Sequence, residues 1–231
     1  MTEEQTTMSQ PQQMDVLEAL YTTRAMRRVK DQPIPDDVVA LILDAAVRAP
    51  SGGNAQNWQF LVVDDPEVRA RLAPLYRECV DMLWQSVYKA RIDAARAAPE
   101  DPGSRQLMKI VASVEHAADN FATYPMLLFG FAQHDPSGGS IYPALWSAML
   151  AGRSQGVGSC LTGVLAFKSE QVLEILDVPR DQGWQMAGCV TFGYPTGRWG
   201  VAARRPVEEV SHRNRWGTPL GIAVDGPRWT G

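Results

Sequence analysis

Apolar positions along this chain follow two patterns. Val38, Leu41, Ile42, Ala45 and Ala46 recur at i, i+3, i+4, i+7 and i+8, the spacing that lines one face of a helix. Pro35 suits the first helical position, Asp36 and Asp37 suit the positive end of the dipole, and Pro50 with Gly52-Gly53 stops the helix. A shorter helix is predicted over 15–23, with Val16, Leu17, Leu20 and Tyr21 on one face. Apolar runs predict four strands: a buried one at 58–63 (WQFLVV), then 126–131 (MLLFGF), 160–165 and 184–192. Residues 66–120 read as helical, broken near Pro99 and at Asp101-Pro102-Gly103. A helix over 142–155 is apolar nearly all round, which places it in a core or at a subunit interface. A short helix follows at 168–176. Strands separated by helices imply an α/β or α+β layer fold.

Composition narrows the class. The 231 residues are 45% apolar and 21% charged, the balance of an ordinary globular chain rather than a disordered, collagen-like or coiled-coil one. With 22 Lys+Arg against 26 Asp+Glu, the net charge of −4 argues against nucleic-acid binding through bulk positive charge. Apolar runs such as 126–132 are far short of the roughly 20 residues that span a bilayer. Residues 1–13 are rich in Thr, Gln and Ser, carry no Lys or Arg and lack a signal-peptide pattern. They read as a disordered lead-in to a single domain over 14–231. Cys79, Cys160 and Cys189 form no CxxC pair, which points to a reducing compartment, the cytoplasm. Residues 196–231 lose periodicity but hold Trp199, Trp216 and Trp229, and are expected to form an arm lying across a surface.

Few motifs carry chemistry. The three histidines stand at no zinc-ligand spacing, so no metal is expected, and neither a P-loop nor GxGxxG is present. Gly152-Arg153-Ser154-Gln155-Gly156 fits GxSxG, but a nucleophile elbow needs a strand before the serine and a helix after it. Here the order is reversed. Arg24, Arg27, Arg28 and Lys30 cluster at the end of the first helix, and Arg204-Arg205 recur far downstream. Each cluster reads as a solvated charged surface or as a phosphate clamp of guanidinium forks. Between them, the string from Ala49 to Trp58 (APSGGNAQNW) is either a plain helix-to-strand turn or a ligand loop. Its small residues admit close approach to the backbone, and its amides suit a heterocycle's imide edge.

Taken in order, these segments resemble the FMN-dependent nitroreductase family. The resemblance rests on Thr23-Arg24-Ala25-Met26-Arg27, Pro33-Ile34-Pro35, Ala49 through Trp58, Gly156-Val157-Gly158-Ser159-Cys160-Leu161-Thr162, Gly193-Tyr194-Pro195 and Arg204-Arg205-Pro206-Val207-Glu208-Glu209-Val210. It implies an α+β, three-layer nitroreductase-like fold, with a central mostly antiparallel sheet flanked by helices. Residues 66–120 would be a variable helical lid and 196–231 an extended C-terminal arm. It implies FMN held at its phosphate and ribityl end by Arg24 and Arg27, with Arg204 and its neighbour Arg205 reaching in from the arm. Pro50, Ser51, Gly52 and Asn54, with Gln56 in the same motif, would line the flavin from the partner subunit of a homodimer. Leu161, Thr162 and Gly163 would pass their backbone close to the ring. NADPH or NADH would donate hydride through flavin N5, and a nitroaromatic or quinone-like acceptor would collect it in a ping-pong cycle; no catalytic side chain is implied. Ala25 stands where the family has serine, and Asn57 where it has proline. Trp84, Tyr88, Phe121 and Tyr124 are either acceptor-pocket walls or core. A reductive dehalogenase, using Tyr88, Lys89 and Glu100 for an amino-acid substrate, and a flavin-sequestering protein are the alternatives on the same scaffold.

Overall fold

The computed structural model describes residues 14–223, 226 and 229; the expected lead-in over 1–13 lies outside the described residues. Its centre is a four-stranded sheet in the order β1-β2-β4-β3, antiparallel throughout. The strands are β1 (Trp58–Val63), β2 (Met126–Ala132), β3 (Gly158–Thr162) and β4 (Gln185–Gly193). β2 is buried at every position, and its unbroken apolar run follows from that. Leu127, Phe129 and Phe131 face one core, while Met126, Leu128 and Ala132 face the other, as the two-residue period of a strand requires. A sheet covered on both faces has no polar side to alternate with. The α+β, three-layer architecture is therefore present.

Helices α1 (Val16–Thr22) and α2 (Asp36–Val47) precede the sheet. Asp15 caps α1 by accepting from the backbone N–H groups of Leu17 and Glu18. α2 packs with α6 (Ile141–Ser154) on one face of the sheet, burying Ile42, Ala46, Leu145 and Ala148 completely. The other layer holds α3 (Pro66–Ser86), α5 (Pro102–Asp119) and α7 (Ser169–Ile175), packed on Leu127, Phe129 and Cys189. α4 (Lys89–Ala97) leans on α5 from outside, and α8 (Val207–Val210) lies in the arm.

Three sequence expectations shift. The third strand runs 158–162, not 160–165: the backbone leaves the extended region at Gly163, and residues 164–168 form a 3-10 helix. Leu165 meets its need for burial on α3 and α7 instead of in the sheet. The helical stretch also breaks at 87–88, before α4, where neither Pro nor Gly marks the site. α6 is only half enclosed. Its inner face is core, while Tyr142 and Trp146 are 44% and 39% exposed.

Helices α3 and α5 share a pH-sensitive tie. Arg77 of α3 pairs with Glu115 of α5 at 2.7 Å, with Asp81 at 2.7 Å and with Asp119 at 3.4 Å, and Trp84 Nε1 donates to Glu115. Arg77 holds the Glu115 carboxyl below its ordinary value of 4.5. A carboxylate lowered on folding stabilises above its unfolded pKa, and that contribution fades as pH falls through the folded one. Thermal melts are therefore expected to show a gap between wild type and Glu115→Gln at pH 7 that shrinks as pH falls below the ordinary glutamate value. A gap independent of pH would refute the tie.

Candidate functional site

Residues 24–29 form the outer rim of the sheet. Met26 N–H donates to the Ser159 carbonyl at 2.9 Å, Lys30 N–H donates to Tyr194 at 2.8 Å, and Ala25 bridges Ser159 in parallel. Gly158 permits this crossing: a Cβ there would lie 2.7 Å from Met26 Cβ and from Pro195 Cγ. The expected site residues Arg24, Ala25 and Arg27 are thereby held beside β3, whose end carries Leu161, Thr162 and Gly163. Leu161 is 39% exposed, and a Cβ at Gly163 would meet nothing within 4 Å. The strand end thus offers an apolar side chain and accessible backbone.

The arm returns to the same edge. Thr196 N–H donates to the Arg28 carbonyl at 3.1 Å. A Cβ at Gly200 would stand 3.8 Å from an Arg24 guanidinium nitrogen. Arg204 and Arg205 then line a groove of about 880 Å³ with Leu20 and Tyr21 of α1. The two arginine clusters, nearly the whole chain apart, thus lie on one side of the molecule. Among the described residues no carboxylate comes within salt-bridge distance of Arg24, Arg27, Arg28 or Arg204. Among the described residues Arg204 donates only to its neighbour's carbonyl, on Ala203. Arg205 instead pairs with Glu209 at 3.1 Å and donates to its carbonyl. Guanidinium groups with no carboxylate partner among the described residues suit a phosphate, although Glu208 also lines the groove.

Arg27 points partly inward. It reaches Ser113 Oγ at 3.5 Å, and its guanidinium opposes the burial that pushes the Cys160 thiol up. Burial also pushes the Tyr76 hydroxyl up to about 12. That hydroxyl lies 3.3 Å from Thr162 Oγ1, so a neutral phenol braces the strand end across the physiological pH range. The sequence reading missed Tyr76; its only signal was an aromatic on an otherwise ordinary helical face.

The 50–56 loop stands elsewhere. It enters β1 at the opposite edge of the sheet, with β2 and β4 between it and β3, about 14 Å away at ordinary strand spacing. Gly53, Asn54 and Gln56 have φ of 58°, 55° and 51°, the left-handed region that a glutamine adopts only when held there. Ser51 Oγ accepts from Gln56 N–H at 3.1 Å, and Gln56 Nε2 donates to Asn54 Oδ1 at 3.1 Å. Ser51, Asn54 and Gln56 brace one another in a rigid, exposed loop, and Pro50 and Gly52 shape its entry. One chain does not bring this loop to the arginines.

Other expectations resolve differently. Phe121 and Tyr124 are 1% exposed and belong to the core, with Phe121 stacked on Tyr76 at 4.0 Å. Trp84 is half-buried and lines a separate cavity of about 340 Å³ with Ile92, Val111 and Glu115. Tyr88 packs edge-on against Trp84. Lys89 pairs with Asp93 at 2.6 Å and Glu100 with Arg105 at 3.4 Å, so Tyr88, Lys89 and Glu100 form no joint site. Ser154 ends α6, and its hydroxyl donates to the Ala151 carbonyl; no nucleophile elbow exists there. All three cysteines are free and buried. Among the described residues no cluster of three metal-ligating side chains occurs, and no helix is long and apolar enough to cross a membrane.

This chain belongs to the Nitroreductase family, whose model matches residues 20–194. It is 27% identical over 203 residues to the NADH dehydrogenase of Thermus thermophilus, covering 85% of this chain and 95% of that protein. The solved FMN and NADPH-dependent nitroreductase NfnB from sphigopyxis sp. strain HMH superposes with a TM-score of 0.64 at 21% identity, over 88% of this chain and 100% of the other. Oxidized iodotyrosine deiodinase bound to FMN and 3-iodo-L-tyrosine gives 0.66 at 20%, over 87% and 98%. At such identities the likeness is one of fold. The matched range ends before the arm, so Arg204 is placed by the structure alone.

Proposed function

We propose that this protein is an FMN-dependent NAD(P)H oxidoreductase that reduces nitroaromatic or quinone-like acceptors, acting as a cytoplasmic homodimer. One observation supports the reading: the arm passes Arg24 at Gly200 and carries Arg204 along α1, and among the described residues neither arginine has a carboxylate partner. Bound FMN would supply the hydride chemistry, accepting from a reduced nicotinamide and passing electrons to the acceptor. The protein's task is then to bind and orient. Arg24, Arg27 and Arg204 would hold the phosphate end, with Arg205 steadying the arm through Glu209. The backbone at Leu161, Thr162 and Gly163 would face the ring, kept in place by the Tyr76 hydroxyl. The 50–56 loop would reach the ring from the second copy, which explains why a rigid loop with unsatisfied amide capacity stands at the far edge. The NADH dehydrogenase relative and the NADPH-dependent structural neighbour support the donor class. Reductive dehalogenation is the second reading, on the likeness to iodotyrosine deiodinase.

The purified protein is expected to be yellow or to become so with FMN, to bleach anaerobically with NADH or NADPH, and to regain colour with a nitroaromatic. A protein that stays colourless after FMN is supplied sinks the proposal. Reoxidation by a halotyrosine but not by a nitroaromatic selects the second reading, and a bound flavin that neither nicotinamide reduces points to sequestration.

A further inference from the structure

Arg153 is the only charged residue of α6, and it is 6% exposed. Its Nε donates to Thr22 Oγ1 at 2.8 Å, and a terminal nitrogen pairs with Glu18 at 3.2 Å. The Thr22 hydroxyl itself donates to the Glu18 backbone carbonyl at 2.7 Å, which leaves the oxygen free to accept from Arg153. The guanidinium edge is thus spent on α1. Its carbon lies 4.1 Å from the centre of the Trp199 ring, well within cation–π range.

A buried charge is costly unless paired, and an aliphatic side chain would pack α6 on α1 without that cost. What an aliphatic cannot do is hold α1 by its edge and an aromatic ring by its flat side at once. Trp199 belongs to the arm. Gly200, the next residue, passes Arg24, and the arm then runs opposite Leu20 and Tyr21 to Arg204. The hydrogen bonds of Arg204 and Arg205 stay within the arm, so their position depends on where the arm is anchored.

We propose that Arg153 is a positioning residue: it latches Trp199 to α1, and this docking of the arm sets FMN affinity through Arg204. The proposal rests on the FMN reading above, and two measurements on the full chain separate the two. Tryptic cleavage after Arg198 or Arg204 reports whether the arm is docked; fluorescence titration of flavin-free protein reports FMN affinity. Trp199→Ala is expected to speed cleavage and weaken FMN about tenfold, the factor that a half-buried cation–π contact, between the exposed and desolvated limits, would bring. Trp199→Phe should retain both properties, because it keeps a ring for the guanidinium. In an Arg204→Ala background, Trp199→Ala should weaken FMN no further, since coupled residues are not additive. Arg153→Met, where it folds, should behave like Trp199→Ala. Unchanged cleavage in Trp199→Ala overturns the latch. Faster cleavage with unchanged affinity, or additive losses in the double variant, overturns the route through Arg204. A folded wild type that binds no FMN refutes the FMN reading and with it that route, while the cleavage rates still decide the latch.

Discussion

Arg24→Ala combined with Arg204→Ala is expected to reduce FMN affinity roughly a thousandfold. A hydrogen bond to a charged group contributes about 1.5–3 kcal/mol, and two arginines on one phosphate give about 4 kcal/mol, near three powers of ten. Both side chains are exposed and hold no carboxylate in the described fold, so removing them should move stability by no more than about 0.5 kcal/mol. Binding and stability should therefore separate cleanly. Arg24→Lys should recover only part of the affinity, because an ammonium cannot reproduce the bidentate fork. FMN titration beside thermal melts checks this, and an affinity unchanged in the double variant would falsify the phosphate clamp.

Gly158→Val should act in the opposite way, through the backbone. The Cβ it introduces would sit 2.7 Å from Met26 Cβ and from Pro195 Cγ. Neither atom is the free end of a flexible chain, so the arginine-bearing segment must lift from β3. That breaks the Met26 to Ser159 hydrogen bond and misplaces Arg24 and Arg27. Overpacking of this kind costs about 1–3 kcal/mol, a fall of roughly 2 to 12 °C in melting temperature for a chain of this size, together with loss of FMN retention. Gly197→Ala is the control: a Cβ there meets nothing within 4 Å, and its melting temperature should stay near wild type. Equal melting temperatures for the two variants would remove Gly158 from this role.

Much of the architecture was legible in one dimension. The WQFLVV run occupies the bounds predicted for it, 58–63, and the helix predicted from Pro35 appears as Asp36–Val47. Local signals sufficed there because apolar period, proline and aspartate caps all agreed. They failed at 160–165, where apolarity was read as a strand. Burial satisfies Val164 and Leu165 equally well in a 3-10 turn packed on α3, and apolarity alone does not tell the two apart. The all-apolar helix was read as core or subunit interface; one side is core, while Tyr142 and Trp146 face outward on the single chain.

The candidate site divides along the same line. Residue chemistry singled out the arginines and the 50–56 loop as candidates, each a contiguous segment with its own composition, and the family resemblance added the β3 end and joined them into one expected site. Their spatial relation is a property of strand order and of the arm's return path. No local pattern places Gly200 beside Arg24, sets the 50–56 loop at the far edge from β3, or turns Arg205 away toward Glu209. Arg153 shows the division most sharply. It stood in the sequence inside a GxSxG string that pointed to Ser154. Only the packing of α6 between α1 and the arm made the arginine the residue that matters, because a buried charge takes its meaning from partners more than a hundred residues away. By itself the sequence determined which segments are helix, strand and charged rim, through periods and caps that act over a few residues. Tertiary structure alone decided which rims meet, since contacts between distant segments depend on how the layers stack.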